Sequence, residues 1–201
     1  MASLGLWVAR RRDGVGAGER ELGYARAQAP MLYGFMFVCV VEAVGVSVLL
    51  AKNPVVHWIM LVLDVYTVLM VAGFQAAAVT RPHVVGPRGL RIRAGARMDV
   101  RIPLERIASV RYDLRFPKTE TAGRESQERD GVLELPVGAQ TCVTVELTEP
   151  VTAVKLLGQR VEVRTVRFHA DEGRAAVAAV REALDRQREK KDEAGGVVTP
   201  A

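Results

Sequence analysis

The chain has 201 residues, 49% of them hydrophobic and 25% charged, with a formal net charge of +5. Those values exclude wholesale disorder, a collagen-like repeat and, with only two cysteines, a disulfide scaffold. The average conceals a segregation: residues 31–51 hold 17 apolar residues in 21 and residues 55–79 hold 20 in 25, so the rest of the chain, at about 40% apolar, has an ordinary domain composition.

Residues 1–30 read as a flexible basic arm carrying Arg10, Arg11, Arg12, Arg20 and Arg26. Its glycines (Gly14, Gly16, Gly18) follow no strand and precede no P-loop lysine, so they point to a loose segment rather than a phosphate cradle. The two apolar runs come next. As helices they reach about 31 Å and about 37 Å, against a hydrocarbon core of roughly 30 Å. Only Lys52, Asn53 and Pro54 separate them, so they form an antiparallel transmembrane hairpin over residues 31–80. Lys52 is the single basic residue of the loop, whereas the arm and the stretch Arg81, Arg88, Arg91, Arg93 are basic. Positive-inside bias therefore puts both termini in the cytoplasm.

Each helix carries one acid, Glu42 and Asp64. With the turn centred on Asn53, the two stand equally far from it along the chain, and equal depth is expected. A carboxylate at a bilayer centre costs about 2.5–3.5 kcal/mol on insertion scales and two at one depth would repel, so at least one is expected to lose its charge or face a basic partner. His57, Asp64 and Gln75 fall within about 20° of one helix face, a polar stripe turned from lipid. The stripe supports a polar lock within the hairpin or between copies. The sharper alternative is an ion path in a larger assembly.

From Arg81 the pattern changes to short alternating segments. Strands are predicted at 84–85, 90–93, 98–102, 107–112, 132–135, 143–147, 154–157 and 161–168, with turns at Gly86-Pro87, Gly89, Gly95 and Glu149-Pro150. Residues 116–130 form a polar excursion. Val161 and Val163 share one phase while Val166 and Phe168 share the other, which places a bulge near Arg164 or Thr165. The last element is a helix with Asp171 as N-cap and an apolar stripe of Val177, Val180 and Leu184 supported by Ala176 and Ala183, followed by a disordered tail over 191–201.

Short antiparallel strands closed by one amphipathic helix give the expected fold class: α+β, a transmembrane hairpin followed by an antiparallel β-barrel or sandwich with a C-terminal capping helix over 81–190. Gly89-Leu90-Arg91-Ile92-Arg93 and Ile102-Pro103-Leu104-Glu105-Arg106-Ile107-Ala108-Ser109-Val110 carry a resemblance. With Val143 to Pro150 and Val166 to Asp171, they are similar to bacterial, actinobacterial-type pleckstrin-homology-like (PH-like) domains attached to short membrane hairpins. The resemblance spans roughly residues 81–188. It implies a non-enzymatic, scaffolding or regulatory protein of the bacterial inner membrane. It does not bring phosphoinositide binding with it, since no lysine-rich strand–loop motif is present. The excess of Arg over Lys, 23 to 5, suits a GC-rich bacterial genome.

The remaining chemistry is sparse. Cys39 in a membrane helix and Cys142 in a cytoplasmic strand do not suit a bridge. His57, His83 and His169 lack metal-ligand spacing, and the four serines show no nucleophile elbow, so no metal, cofactor or catalytic group is expected. Residues 81–201 carry only +4 (22 basic, 18 acidic), which argues against nucleic acid. The partners expected are the bilayer, anionic lipid headgroups near Arg10, Arg11, Arg12, Arg81, Arg88, Arg91 and Arg93, and a protein or second copy meeting the hairpin. The alternative function is an accessory subunit of a transporter that uses Glu42 and Asp64.

Overall fold

The structure, a computed structural model, describes residues 16, 18–50, 52–94, 98–116, 127–129, 131–155 and 160–195. Arg10, Arg11, Arg12, Gly95, most of the polar excursion and the last residues of the tail lie outside the described residues. The chain begins with a short strand, β1 (Arg20–Leu22), and then enters two long helices, α1 (Ala29–Leu49) and α2 (Pro54–Thr80). Proline stands in the first turn of each helix, where its missing N–H costs nothing and its φ is already helical. At 21 and 27 residues, the helices are long and apolar enough to cross a membrane. No residue of α1 is buried, and in α2 burial is confined to Val71, Gln75, Ala76 and Thr80 at its last turns.

Eight strands follow: β2 (His83–Gly86), β3 (Gly89–Ala94), β4 (Met98–Ile102), β5 (Ile107–Arg115), β6 (Gln127–Arg129), β7 (Val132–Leu135), β8 (Thr141–Lys155) and β9 (Arg160–Phe168). A 3₁₀ turn at Leu104–Arg106 joins β4 to β5, and α3 (Gly173–Gly195) closes the domain. All nine strands belong to one sheet in the order β1-β2-β3-β4-β8-β9-β7-β6, with β5 paired to β8 beside that path.

The α+β class is as expected, but the barrel or sandwich is not formed. The sheet is open, its ends being β1 and β6, and it contains a parallel pair, β7 with β9. The long strand β8 explains this. Its first half pairs β5, from Ile107↔Leu147 to Arg115↔Thr141, while its far end pairs β4 through Asp99↔Val154. One strand thus serves two neighbours in succession, and the sheet branches where it would otherwise close.

The turn expected at Glu149-Pro150 is absent, because β8 runs straight through it. Proline is tolerated there because the register against β9 slips between Glu146 and Val151, so no ladder N–H is required of Pro150. Opposite this slip β9 changes phase. The Arg164 and Thr165 N–H groups both donate to the Gly131 carbonyl, at 2.7 and 3.1 Å. Val163, Val166 and Phe168 all reach the core as a result.

That core fills the space between the sheet and α3. Leu90, Ile92, Val100, Ile102, Leu133, Val143, Val145 and Val166 from the strands meet Ala176, Val177, Val180 and Ala183 from the helix. Its tightest backbone approach is at Gly89, whose φ is +138° and where a Cβ would stand 2.4 Å from the Ile102 carbonyl oxygen. Gly89→Ala is therefore expected to lower stability by about 3 kcal/mol, read as a drop in the urea midpoint with an unchanged slope. An unchanged midpoint would contradict this geometry.

Candidate functional site

Along α2, the half-buried or buried positions His57, Leu61, Asp64, Val68, Val71 and Gln75 recur at spacings of 4 and 3, the seam of an antiparallel helix pair. Leu32, Met36, Cys39, Ala43, Val46 and Leu50 recur in the same way along α1. The predicted polar stripe thus lies in the seam. Among the described residues, His57 Nδ1 and Gln75 Oε1 there find no hydrogen-bond partner.

Glu42 and Asp64 do not form a pair. Glu42 is exposed on α1 beside the seam residue Ala43, whereas Asp64 sits half-buried in the seam. Equal depth fails as well. Glu42 is seven residues from the end of α1 at Leu49, and Asp64 is ten from the start of α2 at Pro54, an offset of about 4.5 Å. The helix ends centre the turn before Asn53, which accounts for the difference.

The hairpin leaves the domain between two strands that are neighbours. β1 pairs β2 antiparallel with Leu22 opposite His83, so both helices are an insertion in the connection between adjacent strands. Residues 20–22 of the expected arm are accordingly part of the sheet.

A clamp of side chains holds this exit. The His83 ring stacks on Tyr24 (4.5 Å between centroids, 21° between planes) and meets Phe168 edge-on at 5.0 Å. Its Nδ1 accepts the Arg93 backbone N–H at 3.0 Å, which leaves Nε2 as the donor to the His169 carbonyl, also at 3.0 Å. Both ring nitrogens are thus used by the backbone in one neutral tautomer. Burial pushes the His83 pKa down to about 4, against the raising effect of the His169 carbonyl. Burial also lowers His169.

Asp171, expected as the N-cap of α3, does another job. Its carboxylate accepts the Arg26 N–H at 3.0 Å and its own N–H donates to the Gly23 carbonyl at 2.8 Å, while the helix begins at Gly173. The acid is taken up by the segment that leads into α1. A cavity of about 350 Å³ lies beside this clamp, between Tyr24, Arg26, Val79, Pro82 and the start of α3.

The arginines after α2 divide. Arg88 is exposed and bridges Glu19 at 3.0 Å. Arg91 grips Asp99 through Nε at 2.8 and 3.1 Å and through a further bond from Nη2. Burial would raise the Asp99 carboxyl, but the Arg91 hydrogen bonds and the charges of Arg91, Arg101 and Arg93 outweigh it and hold it low. Arg93 is 5% exposed and Arg81 half-buried. Of the four described members of the expected headgroup-facing set, Arg88 is the exposed one.

The domain has one apolar surface of its own. Of the 26 large apolar side chains exposed among the described residues, 22 lie on the hairpin, and of the other four Tyr112 and Leu114 stand near the end of β5 and Phe116 just beyond it, where the register against β8 slips between Tyr112 and Arg115. Tyr112 lines a groove of about 690 Å³ along α3 with Arg174, Val177 and Arg181, and there the Arg174 guanidinium lies 5.5 Å over its ring. Beneath it, a Cβ on Gly173 would come within 2.7 Å of Cys142 Sγ. Cys142 also exchanges 3.2 Å contacts with the Ala170 N–H and C=O, and burial raises its thiol pKa. The sequence did not flag this groove, because Tyr112 and the α3 residues that line it come from elements separated by four strands.

Among the described residues, no group of three or more His, Cys, Asp or Glu side chains is placed to hold a metal ion. No protein-family model, curated protein or solved structure matches the chain.

Proposed function

We propose that this chain is a non-enzymatic, two-span protein of a bacterial inner membrane with both termini in the cytoplasm. Its sheet domain is PH-like and serves to bind a protein partner or the membrane surface in a scaffolding or regulatory role. The observation that carries the reading is the hairpin, where 22 of the 26 large apolar side chains exposed among the described residues are gathered on helices of spanning length. Its insertion between β1 and β2 ties the domain to the bilayer by two short tethers. Exposed Tyr112, Leu114 and Phe116 at the end of β5 supply what such a tethered domain needs, apolar contact surface, and Tyr112 also lines the groove along α3.

Two experiments test this. The full chain should stay in the membrane pellet through alkaline carbonate extraction, and protease added to the cytoplasmic side should cleave α3. Release into the supernatant would end the membrane reading. A photo-crosslinker at Leu114 should capture a discrete partner in native membranes, and Phe116→Ser with Tyr112→Ala should reduce that capture about tenfold. Capture that is equal in the double variant would end the role given to β5.

The accessory-subunit reading makes the opposite demand. It requires function to be lost in Glu42→Gln with Asp64→Asn, whereas the scaffold keeps insertion and partner capture in that variant.

A further inference from the structure

The two glycines of α1 that lie between Tyr33 and Val46 are not needed by the fold. A Cβ placed on Gly34 or on Gly45 meets no atom within 4 Å. At about 100° per residue Gly34, Val38, Val41, Glu42 and Gly45 fall within an arc of about 100°, turned away from the seam with α2. All five are exposed. This face therefore combines two gaps, two valines and one acid that the hairpin's own helices, which contain no Lys or Arg, do not neutralise.

From this face we infer that α1 pairs with α1 of a second copy of this chain, with Glu42 against Glu42. The inference rests on the membrane reading above and names the partner of that hairpin. In lipid, helices associate through close backbone approach at small residues and through interhelical hydrogen bonds, and both are offered here. An exposed acid at membrane depth is costly and must be satisfied. A carboxyl group is self-complementary, since its O–H donates and its C=O accepts. A second copy offers this same set of gaps and the same acid, so it matches the face without any further assumption about its sequence. Every copy inserts in one orientation, so a two-fold axis along the bilayer normal brings Glu42 to Glu42 at equal depth, and the same axis aligns Gly34 with Gly34 and Gly45 with Gly45. The sheet domains then lie side by side on one surface.

Cysteines introduced one at a time into Cys39→Ser, where the buried Cys142 is the remaining native cysteine, test this in membranes that retain the full chain. Val38, Val40, Val41 and Val44 are comparably exposed, at 57, 51, 55 and 61%. Val38→Cys and Val41→Cys should give an oxidised dimer, and Val40→Cys and Val44→Cys, on the remaining lipid face, should not. Adding Glu42→Leu or Gly45→Leu to Val38→Cys should cut the dimer about tenfold, while Glu42→Gln, which keeps a donor and an acceptor, should preserve it. Crosslinking that is absent or equal at all four valines overturns the inference, as does an adduct whose mass is not twice that of the chain. The membrane reading is unaffected by those outcomes. Loss of the chain from the carbonate-washed pellet would instead remove that reading and this inference together.

Discussion

Acidification from pH 6.5 to pH 4 is expected to cost the domain about 3 kcal/mol through His83 alone. In the native state the ring is neutral, with Nδ1 occupied by the Arg93 N–H and Nε2 donating to His169, and its pKa is about 4 against an ordinary 6.5. The unfolded chain therefore takes up a proton at higher pH than the folded one. The contribution is complete above pH 6.5 and is lost as pH falls toward 4, at about 1.36 kcal/mol per pH unit. His169, lowered by burial in the same direction, adds to the loss. The carboxyls held low by arginines, Asp99 and Asp113, weaken the fold only further into acid.

Urea midpoints across this range isolate the effect when wild type is compared with His83→Phe. The phenyl ring keeps the stack on Tyr24 but removes the acceptor of the Arg93 N–H and the donor to the His169 carbonyl. The variant should lose about 2–4 kcal/mol at pH 7 and most of its pH dependence between 6.5 and 4.5. A variant with the wild-type slope would refute the assignment of that slope to His83.

The second large effect concerns the hairpin as an insertion. Joining Arg26 to Arg81 through a short glycine–serine link should release a folded, water-soluble domain that keeps β1, Tyr24 and the Asp171 contacts. A chain trimmed to residues 81–201 keeps the apolar pattern but loses the burial of Leu22 and Tyr24, which are 7 and 4% exposed. It should be less stable by about 3–5 kcal/mol. The ordering is the test: a spliced chain no more stable than the trimmed one would mean that β1 contributes nothing.

These two results turn on features of unequal visibility in the sequence. The hairpin, the stripe of α3 and the phase change in β9 were legible because each is a local pattern, at the helix or the strand period, that burial enforces within one element. β1 was not, since a strand from Arg20 to Leu22 carries too little alternation to register and its partner follows only after both helices. The open sheet escaped for the same reason. Whether β4 or β5 takes the edge of β8 is decided by a long strand passing Pro150, where proline reads locally as a turn. Asp171 stood at the right place for a cap, and only the return of Gly23 and Arg26 gives it another use. The relation of Glu42 to Asp64 was half legible: their helices were clear, but depth depends on where each helix ends, and Glu42 stands one residue off the seam position Ala43.

The insertion also orders the making of the protein in time. β1 leaves the ribosome before either long helix, and its partner strand β2 only after both. At about 5–20 residues per second, the stretch from Leu22 to His83 takes about 3–12 s, during which the β1 edge is unpaired. Asp171, which fastens the Gly23–Arg26 segment, is made later still. The clamp can therefore close only on a chain whose two helices have already been synthesised, and closure of the domain becomes a record that the hairpin has been made.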